Sequence, residues 1–194
     1  MIVTHAYPFV DGHAIIWVKN TNFTDNYSCC TEKCGLINEK GEFVIPPIYD
    51  NMKYDGGVNM AVNIGFKEHE RYETSGKWGV ADLDNHILIS LKYTDIYPWE
   101  NGLYAVEFQK RWGVIDLSEK VIIPFEYDWI SWSDQYGWIT ALLQGKYGCI
   151  TLEGEIIIPF IYDEMLCCGD AQLIPVKHGN QAYYIDRNGH RVLL

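Results

Sequence analysis

Basic residues are scarce in this chain. Fifteen Lys and Arg stand against 26 Asp and Glu, a net charge of −11. An acidic chain repels phosphate backbones, which argues against nucleic acid as a partner. Complementary charge favours a basic protein instead, although an acidic surface also serves plain solubility. No apolar run approaches the length that crosses a bilayer, so no membrane partner is expected. The start, MIVTHAYPFVDGHAIIWVKN, lacks the basic n-region and long apolar h-region of a secretory signal, and the chain is read as cytoplasmic. In that compartment the six cysteines are reduced thiols, and the sequons at Asn22 and Asn26 are chance.

Motifs of catalysis are missing too. There is no Gly-rich phosphate loop, no G-x-S-x-G and no H-E-x-x-H. The six histidines are read as scattered, outside any repeated column. No catalytic residue, cofactor or metal is therefore expected. Cys29, Cys30 and Cys34 with Cys167 and Cys168 lack C-x2-C spacing, and Cys149 sits in an otherwise apolar column.

What the chain does have is repetition. KWGVAD, from Lys77, returns thirty-four residues later as RWGVID, from Arg111. Around these, KWGVADLDNHILISLKYTD, RWGVIDLSEKVIIPFEYDW, KYGCITLEGEIIIPFIYDE (from Lys146) and KCGLINEKGEFVIPPIYDN (from Lys33) align without a gap over nineteen residues. Tyr49, Tyr93, Tyr127 and Tyr162 share one column; Pro46, Pro124 and Pro159 share another, with Ser90 as the exception. A truncated fifth copy, QAYYIDRNGHRVLL, begins at Gln181. Each copy follows its own short apolar segment, as in HAIIWV after Gly12 and LYAVEF after Gly102.

Strand-forming Ile, Val, Tyr and Trp in such segments, broken by Gly and Asn turns, predict a three-stranded antiparallel meander per unit. Five units follow, at about 7–51, 52–96, 97–129, 130–164 and 165–194, forming a single repeat domain over 1–194. The column opening each second strand holds Cys34, Trp78, Trp112, Tyr147 and Ala182, and glycine follows in the first four. Rings in the middle units and small residues at the ends suggest rings sandwiched between neighbours. The glycine suggests close approach by an adjacent strand.

These columns resemble the bacterial WG-repeat family, whose unit runs G-L-A-x-V…K-W-G-x-I-D…G-x-x-V-I-P-x-x-Y-D. The likeness covers about residues 7–194 and is weakest in the first and last units. It implies an all-β repeat protein that serves as an interaction module without known catalytic residues. Five units stacked as an open array are preferred; a closed propeller-like ring is the alternative, for which about thirty-five residues per unit is short.

If the repeats are scaffold, function belongs where they are interrupted. The first two units carry long insertions, Asn20–Lys33 and Asn63–Lys77, at equivalent tips. Their aromatic and charged residues are the candidate partner-binding set: Phe23, Asp25 and Tyr27 in the first, and Phe66, Glu68, Glu70, Arg71, Tyr72 and Glu73 in the second. The reading is a non-catalytic protein-binding module, with an immunity protein that neutralises a basic bacterial toxin as its most concrete form. A carbohydrate or cell-wall binding module and an enzyme without recognisable motif are the alternatives.

Overall fold

The structure, a computed structural model, describes residues 2–19, 32–54, 56–65, 76–133, 137–166 and 172–193 of the 194-residue chain. Its described residues form twenty strands in five four-stranded antiparallel sheets, arranged in tandem and none closed into a barrel. The first sheet is β1 (Ile2–Ala6), β2 (His13–Lys19), β3 (Glu32–Asn38) and β4 (Phe43–Tyr49). The second is β5 (Asn51–Lys53), β6 (Asn59–Ile64), β7 (Lys77–Asp82) and β8 (Ile87–Tyr93). The third is β9 (Asp95–Pro98), β10 (Leu103–Phe108), β11 (Arg111–Asp116) and β12 (Val121–Tyr127). The fourth is β13 (Trp129–Ser133), β14 (Trp138–Leu143), β15 (Lys146–Thr151) and β16 (Ile156–Tyr162). The last is β17 (Glu164–Met165), β18 (Ile174–His178), β19 (Gln181–Ile185) and β20 (Arg191–Val192).

The all-β tandem array is as expected, with one strand more per unit than the three read from sequence. The residues after each Tyr-Asp corner pair with the strand that follows: Met52 lies opposite Val62, Ile130 opposite Ala141 and Met165 opposite Val176. Two to five residues are too few to display an alternating period. The first sheet accordingly begins at Ile2.

Two compact bodies divide the chain, Met1–Tyr97 and Pro98–Leu194. In the first, Cys34, Leu36, Ile45 and Tyr49 of one sheet pack against Met60, Val62 and Ala81 of the next. In the second, Ala105, Val114, Ile123 and Tyr127 meet Ile130, Ile139, Ala141 and Ile150. Cys149, Ile158 and Tyr162 of that fourth sheet in turn meet Met165, Ile174, Val176 and Ile185. Each fully buried aliphatic side chain contributes about 1.5–3 kcal/mol through area removed from water.

The Trp-Gly pair is explained by pairing within each sheet. Trp112 lies opposite Tyr127 and Val114 opposite Ile123, so two residues on β11 span four on β12. The same offset recurs at Cys34/Leu36, Trp78/Val80 and Tyr147/Cys149. The fourth strand of each of these sheets therefore bulges across the glycine. A Cβ on Gly113 would stand 2.7 Å from the Ile123 carbonyl oxygen, and one on Gly148 2.7 Å from that of Ile158. Proline follows the bulging isoleucine in three copies, where it is tolerated because a bulge on an edge strand needs no ladder donor there.

Trp78 is buried, but the rings of this column in the second body are not sandwiched as expected. In the second body this column faces the sheet that follows, where Trp112 is half-buried and packs against the core of the third and fourth sheets. Among the described residues β17–β20 form the last sheet, and Ala182 is exposed there. In the first sheet the ring has moved one strand over: Trp17, directly opposite the buried Cys34, packs against the core of the first and second sheets.

Candidate interaction surface

The nine candidate residues (Phe23, Asp25, Tyr27, Phe66, Glu68, Glu70, Arg71, Tyr72 and Glu73) lie outside the described residues. What the structure does show is how the two ends of each hairpin differ.

At the tip end, the aspartate of the Tyr-Asp corner staples neighbouring sheets. Asp50 accepts from Lys33 Nζ of its own sheet at 2.6 Å and from the Gly65 backbone N–H of the next at 2.7 Å. Asp128 does the same with Arg111 and Gly145, and Asp163 with Lys146 and Gly179. Lys146 and the Gly179 N–H hold the Asp163 carboxyl below its ordinary value. Thr94 stands at this corner in the second sheet. There Lys53 reaches Asp95 Oδ1 at 2.8 Å and the Ile96 carbonyl at 3.0 Å, beneath the rings of Trp78 and Tyr97.

At the opposite end, a polar side chain closes the turn into the last strand. Asn38 Oδ1 accepts from the N–H groups of Lys40 and Glu42. Asp116 accepts from Ser118 and Lys120, and Asp186 from Asn188 and His190. The Ser118 hydroxyl, with these N–H groups, lowers the Asp116 carboxyl; the His190 N–H does so for Asp186. His86 and His190 turn out to share a column, each donating its N–H to the turn aspartate four residues earlier. The ligand-capable atoms of Asp82, Asp84 and His86 lie within 4.8 Å of one another, an arrangement the turn hydrogen bonds account for.

Immediately after these turns an apolar side chain stands in solvent: Phe43 and Ile87 in the first body, Val121 and Ile156 in the second, 40–63% exposed. Sequence reasoning passed over this column, although its apolar character is visible in the alignment. The signal was lost because a strand rich in Ile and Val reads as core. The tryptophans behave otherwise: Trp78 and Trp99 are buried, Trp17, Trp112 and Trp138 half-buried, and Trp129 exposed.

Cys34 and Cys149 are buried and not in disulfides, and burial pushes the Cys34 thiol up to about 12. On the last sheet, Met165, Leu166, Pro175, Val176 and Lys177 line part of a concavity of about 550 Å³.

The fold thus defines a tandem β-repeat protein. The profile of the family described as "WG containing repeat" matches residues 35–58, 78–110, 112–147 and 147–180, more than half of the chain, and the chain belongs to that family. Among solved structures it is similar to a crystal structure of the eukaryotic initiation factor at 9% identity and a TM-score of 0.35, covering 94% of this chain and 74% of that one. A protein of unknown function from Bacteroides caccae matches at 12% identity and a TM-score of 0.32, covering 93% and 76%. Likeness at that level bears on neither fold nor activity. No curated protein matches.

Proposed function

We propose that this chain is a protein-binding repeat module with no chemistry of its own. The observation that carries this reading is the exposed apolar residue at one repeat position in four copies, Phe43, Ile87, Val121 and Ile156. Solvent-exposed apolar side chains cost free energy unless something covers them, and recurrence in register gives a partner an ordered set of contacts. The two insertions, with Phe23, Tyr27, Phe66 and Tyr72, supply a second set of contacts in this reading. A basic protein is the partner that the net charge of −11 suits. The narrower form is an immunity protein that masks a basic toxin in the cytoplasm, a compartment that suits the reduced thiols of Cys34 and Cys149.

A carbohydrate platform would need several rings exposed in a row; Trp129 is the exposed one among the described tryptophan side chains. Affinity capture from the source cell's lysate, with the full chain as bait, tests the protein-binding reading. A protein retained at low salt and released at high salt is the expected result. Capture of none, with binding on a glycan array, would transfer the assignment to carbohydrate. For the immunity reading, co-expression with the protein encoded beside this one should yield a stable complex.

A further inference from the structure

In the first, third and fourth copies the two ends of the hairpin differ in charge. At the tips, Lys33, Arg111 and Lys146 are engaged by Asp50, Asp128 and Asp163. At the turns, carboxylates gather beside the exposed apolar column. In the first body these are Glu39 and Glu42 beside Phe43, and Asp82 and Asp84 beside Ile87. In the second they are Asp116 and Glu119 beside Val121, and Glu153 and Glu155 beside Ile156. Eight carboxylates with only Lys40 and Lys120 among them make the turn end of these four copies strongly negative.

The fifth copy inverts the arrangement. Arg191 occupies the apolar column, with Arg187 in the turn before it. Both arginines lie over rings, Arg187 4.6 Å from the Trp138 centroid and Arg191 4.3 Å from that of Tyr183. The acidic, apolar edge therefore belongs to the first four copies alone.

How an occupant could bind is limited by the strands behind this edge. β4, β8, β12 and β16 are the outermost strands of their sheets, which would ordinarily invite strand addition. The bulge over the glycine breaks their register, and Pro46, Pro124 and Pro159 remove a donor from three of them. Recognition is thereby left to side chains at the turn end.

We propose that the turn edge of each body docks a basic segment of a partner protein, its apolar side chains on Phe43 and Ile87 in the first body or on Val121 and Ile156 in the second, and its Lys and Arg on the flanking carboxylates. This deepens the protein-binding reading and rests on it. Exposed apolar area supplies the attraction, and the charge selects the sign of the partner.

The test uses the full chain and a synthetic peptide of alternating Lys and Leu, with an alternating Glu and Leu peptide as control. Amide shifts should map the Lys peptide onto residues 38–43, 82–87, 116–121 and 151–156, and the Glu peptide should not bind. Phe43→Ser with Ile87→Ser, Val121→Ser and Ile156→Ser should weaken binding about tenfold or more. These side chains stand in solvent, so an unchanged circular dichroism spectrum is expected. Glu39→Gln with Glu153→Gln should flatten the salt dependence, whereas Glu126→Gln with Glu164→Gln should leave it unchanged. Failure of the Lys peptide to bind, or shifts confined to the tips or the last sheet, would overturn the proposal. So would equal weakening by the two Gln pairs. A cellular partner that holds both wild type and the four-serine variant would overturn the turn edge alone and leave the protein-binding reading standing.

Discussion

Gly113 and Gly154 are both repeat-column glycines, yet alanine would act on them for different reasons. At Gly113 the new Cβ meets the Phe125 ring at 2.9 Å and, at 2.7 Å, the Ile123 carbonyl oxygen, which cannot withdraw without undoing the bulge. Gly113→Ala should therefore cost about 2–4 kcal/mol, at the upper end of single substitutions. Gly154 has open space around it and a φ of +84°, so Gly154→Ala should cost only the left-handed backbone strain, about 1–2 kcal/mol. Urea midpoints of the two variants should fall in that order. Cys34 offers a second check at this scale. With its thiol buried and pushed up to about 12, it should resist iodoacetamide at pH 8 in the folded chain and react once urea is added, as read by peptide mass spectrometry.

At the level of the element, the corner aspartate is what joins one meander to the next. Asp50 is buried and bound on both sides, by a lysine behind it and a glycine N–H ahead. Asp50→Ala leaves that N–H and the Lys33 ammonium without their acceptor, and should lower stability by about 1–3 kcal/mol. Asp50→Asn keeps a neutral acceptor and should cost less. Combined with Lys33→Met, Asp50→Ala should be less than additive, because both changes remove one interaction. The aspartate was visible in the sequence as a repeated letter after tyrosine and was read as turn chemistry. Its bonding to the next sheet was not legible, since sequence spacing does not say which sheet a tip will lie against.

For the whole molecule, acid and alkali should each weaken the fold through identifiable groups. Asp82, Asp116, Asp163 and Asp186 are held below their ordinary 3.8 by hydrogen bonds that only the folded chain makes. The unfolded chain binds their protons more tightly. Their contribution is therefore complete above pH about 4 and is lost as pH falls further. Tyr127 behaves oppositely: burial first, and then Glu126, push its hydroxyl up to about 12. The neutral ring is favoured in the folded state, so its contribution is complete below pH 10 and drains away as pH rises from 10 to 12. Tyr49 and Tyr162, raised by burial, act in the same direction. Thermal midpoints across pH 2–12 should show both flanks, and Tyr127→Phe should move the alkaline flank upward.

The sequence by itself determined the repeat, its period, the all-β class and the family, because a unit that packs against copies of itself must keep its core columns in register. Tyr49, Tyr93, Tyr127 and Tyr162 could be assigned to one column from the alignment alone. Tertiary structure alone decided the rest. The opening strand of each sheet is too short to have a period of its own, and the meaning of the glycine depends on a carbonyl ten residues away. Phe43, Ile87, Val121 and Ile156 carry the same letters as core residues, and only the geometry of an edge strand turns them outward. Burial is a property of what lies across a face, which no single column records.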